Sequence, residues 1–521
     1  MANYVATFVN ASDQRTVIGT EGHYSYSYKQ DIYSQIFIIP YNIDAGNVSQ
    51  NTVYRAVLWN ATEQTQTLNS ITEIGTQGIL LRGNPSGDVV PNGYFDYDVE
   101  VTTSGPSIID ANYSFNFDNF SSELTVVGSR VVLFGFDINW VSPPKEVFSH
   151  YTDVRISYDG TEFRHNLTDN ARMQLQYYYT LNDVDRMKLD GLLYSWADKV
   201  FLVPIYSQIT YTIDPIVSGQ NSARITLENT DIQEGMSILI GKNQEVGQIA
   251  NIKEIIGDVV FFENEISKDF DANEFVIPLC QAYIGSTSST SHQTDNLTEM
   301  TAIFDIKDDT MLTITNNIDN FEEYEGMKIL TQEPNRRITI NRDYARLVDV
   351  VDYGSGVRAR VSKDKKPAIV FNYTFECIGK TEINNLKAFF NNMLGMTEEF
   401  LVSSFTTDLQ LADNIGQTET TLLVKNSGAG SYYLDEEQRS LIVIYLKNGQ
   451  KFIREIINIL GDTEDTEKVV IQQSLGQSVS IEEVNSIQFL SHARFNADSL
   501  QFDFETDEYA TASTEIRILR G

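Results

Sequence analysis

Five histidines, His23, His150, His165, His292 and His492, are the first candidates for acid–base or metal chemistry. No two of them stand in a His-Glu-x-x-His spacing, which would set two imidazoles on one helix face toward a zinc ion. His292 and His492 fall near the same strand region of two similar segments, at non-equivalent positions, and all five read as surface or packing residues. Asp269, Asp271 and Glu274 in KDFDANEF alternate like calcium ligands. That run lacks the glycine and distal glutamate that close a calcium loop, so it reads as a solvated turn. Asp96 and Asp98 share one side of an expected strand, as the carboxylate pair of a glycosidase would. Glu322, Glu323 and Glu325 read as a solvated loop, as do Asp462, Glu464, Asp465 and Glu467. No Gly-x-Ser-x-Gly elbow, Gly-x-x-x-x-Gly-Lys-Ser/Thr loop or Gly-x-Gly-x-x-Gly turn occurs. The residue types point away from catalysis. The expectation is a protein that is not an enzyme and holds neither cofactor nor metal.

The elements around these residues follow from composition. The chain has 521 residues, room for three or four domains at ~100–200 residues each. Its 27 tyrosines and 28 phenylalanines, with frequent Val, Ile and Thr, favour pleated, half-buried surfaces and therefore strands. Lys and Arg number 38 against 72 Asp and Glu, a net charge of −34. Such a surface repels nucleic-acid phosphates and anionic lipid, and no Lys/Arg cluster supports specific nucleic-acid binding. Cys280 and Cys377 sit in apolar strand-like runs, too few for a disulfide framework; they read as small buried hydrophobes of a chain made in a reducing cytoplasm. The N-terminal run MANYVATFVNASDQ has no basic start or continuous apolar core, so no signal peptide is expected. No apolar run approaches the ~18–20 residues of a membrane span.

A long-period repeat organises the C-terminal two thirds. MQLQYYYTLNDVDRMKLDGLLYSWADKVFLV, from Met173, answers IVFNYTFECIGKTEINNLKAFFNNMLGMTEEFLV, from Ile369. Each is a Tyr/Phe-rich strand pattern, then an amphipathic helix, then Phe-Leu-Val from Phe201 or Phe400. Leu189, Leu192, Leu193 and Trp196 match Leu386, Phe389, Phe390 and Met393 at the same spacing, one face of a 3.6-period helix. Downstream, Ile252, Ile255, Ile256, Gly257 and Asp258 answer Ile456, Ile459, Leu460, Gly461 and Asp462, strand runs turned by Gly-Asp. FVIPLCQAYIG then answers IQFLSHARFN, and each copy closes on an alternating run, MTAIFDI or SLQFDFE.

Residues 1–145 show short alternating runs separated by Gly-Asn-Pro, Pro-Asn-Gly and Ser-Gly-Pro turns, the pattern of an immunoglobulin-like β-sandwich, with Trp59 in its core. The expected organisation is mainly β. A sandwich at 1–145 is followed by a first α+β repeat at 146–308 with a small β insertion at about 222–278. A connector spans 309–334, and a second repeat covers 335–521 with an insertion at about 418–485. Each repeat is a sheet with one helix and an inserted small β-barrel-like subdomain.

Three stretches resemble minor tail proteins of siphophages, the distal tail or baseplate family. The junction after the sandwich carries Gly128, Ser129, Arg130, Trp140, Glu146, Thr152, Asp153, Val154, Gly160, Glu162 and Arg164. The run FLVSSFTTDLQL carries Asp408 and Leu409; the family's Trp-Leu-Pro is reduced to Pro204 in the first copy and Ser403 in the second. The closing segment carries Arg494, Phe495, Asp498, Leu500, Thr506, Asp507 and Glu508. These are scaffold signatures. The resemblance implies a virion tail protein, made in the host bacterial cytoplasm. It would form a homo-oligomeric ring, trimer or hexamer, that links the tail tube to hub or fibres and lets DNA through its lumen. Two other readings remain open from the residues: a receptor- or glycan-binding adhesin, for which Tyr24, Tyr26 and Tyr28 would form a sugar platform, and a polysaccharide depolymerase.

Overall fold

The computed structural model describes residues 35–48, 51–102, 105–106, 108–157, 161–196, 199–241, 246–286, 288–294, 296–308, 318–346, 348–362, 367–432, 437–461 and 463–519. The protein is mainly β, and it divides into two compact units, Met1–Val132 and Leu133–Gly521.

In the first unit, strands Ile36–Ile39, Thr52–Asn60, Tyr94–Val101 and Ile79–Arg82 form one sheet. Strands Asn42–Val48, Ser121–Arg130, Ile108–Phe117, Gln66–Ile74 and Gly87–Val89 form another. Side chains alternate across a strand, so IIDANYSFNF buries Ile109, Ala111, Tyr113, Phe115 and Phe117 and leaves the polar partners outside. One core takes Leu58 and Val99 from the first sheet and Tyr113, Phe115, Leu124 and Val126 from the second. Each large side chain buried there contributes about 1.5–3 kcal/mol. Trp59, expected in this core, is outside it. Ala56, Leu58 and Asn60 take the inward positions of its strand, and the indole stacks on Phe37 on the other face, ring centroids 5.9 Å apart.

The second unit is organised by an antiparallel sheet. From one edge to the other its strands are Ser289–Thr294, Leu297–Ile306, Arg172–Leu181, Lys145–Ser149, Ser499–Thr506, Tyr509–Ile518, Ala368–Ile378 and Asn341–Ala345. The order of pairings is the same on the two sides of its middle. Lys145–Ser149 leads through the hairpin Thr152–Ile156/Glu162–Asn166 into Arg172–Leu181. Asn341–Ala345 leads through the hairpin Val348–Asp352/Arg358–Ser362 into Ala368–Ile378.

A helix follows each long strand, Asp183–Trp196 in one case and Lys380–Asn392 in the other. In the second helix Ile383, Leu386, Phe389 and Phe390 are buried. In the first Leu189 is buried while Leu192 and Leu193 are only half-buried. Beyond the helices, Val200–Pro204 pairs with Phe275–Ile284, and Phe400–Ser403 with Val484–Phe495. Between those partners lie two small β cores, one around Ile225, Ile238, Val260 and Val276, the other around Leu422, Ile442, Ile444, Val469 and Ile487. Cys280 and Cys377 are both buried free thiols.

Candidate functional site

Buried ionisable side chains gather where Lys145–Ser149 pairs with Ser499–Thr506, in the register Glu146 opposite Phe502 and Phe148 opposite Leu500. On the buried side of Lys145–Ser149, alternation places Glu146 and Phe148. Helix Lys380–Asn392 lays Lys387 over them, and its ammonium forms an ion pair with Glu146, the two side chains only 3% and 2% exposed. Ser207 donates its hydroxyl to the other oxygen of Glu146. The ammonium also lies 5.3 Å from the Phe148 ring centroid, 5.5 Å from Phe502 and 5.1 Å from Phe504. Aromatic faces at this range attract a desolvated cation. The charge is thus caged by one carboxylate and three rings.

A second buried pair forms on the hairpin that follows Lys145–Ser149. Glu162, on the hairpin after Lys145–Ser149, receives Arg494 Nε at 2.6 Å and Nη2 at 3.1 Å, and Arg517 Nε approaches it at 3.1 Å. Burial pushes the Glu162 carboxyl up, but hydrogen bonds from Arg494 and the charges of Arg494, Arg517 and Arg164 outweigh this and hold it below its ordinary value of 4.5. Arg164 reaches Glu399. Asp498 takes Thr152 N at 2.7 Å, Thr152 Oγ1 at 2.7 Å and Met396 N at 3.0 Å. His150 is buried, bonded through Nε2 to Asn391 Oδ1 at 3.0 Å and through Nδ1 to Thr168 Oγ1 at 3.4 Å, with Phe390 against its ring. Desolvation lowers its pKa from 6.5, against the opposing influence of Asn391 and Asp498.

The motif residues named from the sequence thus fall into groups. Glu146, Thr152, Glu162 and Arg164 from one stretch meet Arg494 and Asp498 from another at this seam, although they are hundreds of residues apart. Leu500 is buried in the same place, and Phe495 sits among Phe389, Phe390 and Phe400. Asp153 is apart from them and turns to Arg155 on its own strand. Thr506, Asp507 and Glu508 form the turn between the last two strands, where Thr506 accepts the Glu508 N–H and Asp507 approaches Lys380 at 3.5 Å. Trp140 packs edge-on against Tyr206 at 6.3 Å.

Gly128, Ser129 and Arg130 belong to the first unit. A Cβ on Gly128 would stand 2.8 Å from the Gly46 carbonyl, so glycine lets two strands meet there. Arg130 is buried and donates to the carbonyls of Thr102, Pro106, Gln77 and Gly78 at 2.6–3.1 Å. Gly160, His23, Tyr24, Tyr26 and Tyr28 lie outside the described residues.

Sequence reasoning missed Lys387, Glu399 and Arg517, and named His150 only as a surface or packing residue. Lys387 left one trace, a lone cation directly beside the apolar positions Leu386, Phe389 and Phe390. The tripeptide Gly379-Lys380-Thr381 looks like the end of a phosphate loop, but Lys380 is committed to the Ile209 carbonyl and Asp507.

The other sequence candidates do not converge. Asp96 is bridged by Arg55 at 2.8 Å in the first unit, and Asp269 accepts the Ser218 N–H at 2.7 Å in a solvated turn. Among the described residues no three His, Cys, Asp or Glu side chains come together so as to hold a metal ion, and no helix is long and apolar enough to cross a membrane. No known protein-family model matches the chain, and a search of curated proteins finds no match either.

Proposed function

We propose that this chain is a structural component of a bacteriophage tail tip or baseplate, a non-enzymatic ring-former that links the tail tube to hub or fibres and lets DNA pass. One observation carries the reading. The residues that resemble tail-protein signatures at Glu146–Arg164 and at Arg494–Leu500 meet in one dry, ion-paired seam that joins two sheet units edge to edge. Buried ion pairs backed by aromatic rings suit a joint that must hold one register. An active site would instead gather its ionisable groups in an open cleft.

In this reading the stretches 146–308 and 335–521 are two copies of an ancestral distal-tail-like module, each with a small barrel-like insertion. The unit before them is an immunoglobulin-like sandwich. The net charge of −34 then serves the lumen, since negative walls repel the phosphates of passing DNA. Gold-labelled antibody against the chain should mark the distal end of virion tails. Label confined to capsids or absent from virions would overturn the reading. So would an assembled ring whose lumen is lined with Lys and Arg.

A further inference from the structure

The seam has a counterpart that the described residues leave open. The two edge strands of the sheet, Ser289–Thr294 and Asn341–Ala345, occupy the places that Ser499–Thr506 and Lys145–Ser149 occupy at the seam. The registers align them residue by residue. Tyr177, Tyr179 and Leu181 correspond to Tyr373, Phe375 and Cys377, the buried rows of the two long strands. Lys145 pairs with Gln176 as Asn341 pairs with Asn372, so Glu146 corresponds to Arg342 and Phe148 to Tyr344. On the other edge, Thr290 pairs with Met300 and Met300 with Tyr179. Phe502 pairs with Ala512 and Ala512 with Phe375, so Thr290 corresponds to Phe502.

At the closed seam Phe148 is 4% exposed; at the open edge Tyr344 is 57% exposed. All six residues of Ser289–Thr294 are exposed. Unpaired edges of this length are templates for another strand.

The charges make the same match with their signs reversed. Lys387 follows the buried Leu386 on one helix, and Asp190 follows the buried Leu189 on the other. The Glu146–Lys387 pair of the seam therefore becomes Arg342 and Asp190 at the open edges, with Asp190 60% exposed. Glu162 and Arg358 close their hairpins at matching places, opposite Ile156 and Asp352. Arg517 pairs with Val370 as Asp305 pairs with Gln174. The Glu162–Arg517 pair thus becomes Arg358 and Asp305. Beside these, Met187 and Tyr194 are exposed on the first helix, at positions matching Asn384 and Asn391, which the second helix turns to its neighbours.

We infer that a second copy of this chain docks here. Its Ser289–Thr294 pairs antiparallel with Asn341–Ala345 of the first, placing Thr290 opposite Arg342 and Ser291 opposite Asn341. Arg342 then meets Asp190, and Arg358 meets Asp305, across the contact. The contact is head-to-tail, and in this inference the rotation per copy closes it into a ring rather than an open filament. Sign reversal at two pairs gives each edge a repulsive wrong partner and forces the two kinds of unit to alternate. Eight strands per chain, at about 4.8 Å each, give three copies a wall roughly 37 Å across between backbones before any strand tilt, and two copies only roughly 24 Å. Three copies leave room for a duplex inside facing side chains.

This inference rests on the ring-forming reading, and its test separates the two. Native mass measurement of the full chain should give a closed trimer of the 58.9 kDa chain. Arg342→Asp should yield monomers with unchanged circular dichroism. Arg342→Asp combined with Asp190→Arg should restore the trimer. Independently, Asn341→Cys with Ser291→Cys should oxidise to dimers and trimers on a denaturing gel, since opposed strand positions bring Cα atoms within disulfide reach. A monomeric wild type, an Arg342→Asp oligomer, or no crosslink at Cys-substituted 341 and 291 would overturn the inference. Tail-tip labelling of virions would still stand in that event, whereas labelling elsewhere would remove the parent reading.

Discussion

Lys387→Met tests whether the buried seam is held by its charges. The substitution keeps the length and apolar stem of the side chain and deletes the ammonium. Glu146 is then left 2% exposed with Ser207 as its remaining partner and no cation. An uncompensated carboxylate at this depth costs about 3–5 kcal/mol, and the three ring contacts at 5.1–5.5 Å are lost with it. Glu146→Gln combined with Lys387→Met removes both charges and should recover most of that loss, because a neutral, well-packed pair has no ion to desolvate. Hydrogen exchange at the Val147 and Phe148 amides reads the effect locally. At a factor of ten per 1.4 kcal/mol, the single variant should exchange faster by roughly two to three and a half powers of ten. The double variant should return to within about tenfold of wild type. A single variant that exchanges at the wild-type rate would refute the argument, as would a double variant as damaged as the single.

Three further outcomes follow from named contacts. His150 has its folded pKa below its unfolded value of 6.5, so the unfolded chain takes up the proton first. Its contribution is complete above about pH 6.5 and is lost as pH falls below it, and His150→Gln should flatten that part of a melting-temperature profile. Gly395 has φ +64°, and a Cβ there would lie 2.6 Å from Asp498 Oδ1 and 3.1 Å from His150 Cβ. Gly395→Ala should therefore cost about 1–3 kcal/mol in urea unfolding, while the same change at Gly354, which has open space around it, should cost less. Arg130→Leu removes the donor from the Thr102, Pro106 and Gln77 carbonyls, while Gly78 O keeps the Thr102 N–H and hydroxyl, and should destabilise the first unit by about 1–3 kcal/mol. Limited proteolysis between residues 77 and 106 would detect it, and unchanged cleavage would contradict the role assigned to that guanidinium.

The strands were legible because their chemistry is local. IIDANYSFNF and RMQLQYYYTL alternate as a pleat demands, and the helices announced themselves through Leu189 and Leu386 at matched places in a 3.6-residue period. Trp59 faces away from the core because strand alternation makes Leu58, its neighbour, the inward residue, and aromatic identity does not override that alternation. The pairings across the seam are not legible in the sequence, although several of its residues are. Glu146 and Lys387, or Glu162 and Arg494, are pairs whose partners are set by which strand edges meet, and no periodicity within one segment encodes that. A lone Lys beside Leu386 or a Glu at the end of a hairpin has the same local signature as a solvated charge, and only burial separates the two cases.

That distinction bears on why the joint is ionic. A seam of the same shape filled with apolar side chains would be as stable or more so, since desolvating Glu146 and Lys387 consumes much of what their attraction returns. Apolar edges discriminate poorly, however, and a two-fold sequence similarity creates a specific hazard: either leading strand could pair with either hairpin edge. Charges that differ in sign between otherwise corresponding places, Glu146 against Arg342 and Lys387 against Asp190, make the wrong pairing place like charges together in a dry interface. A like-charge contact there costs several kcal/mol. On the proposed pairing of edges, the stability given up in burying ions sets register and order along the sheet.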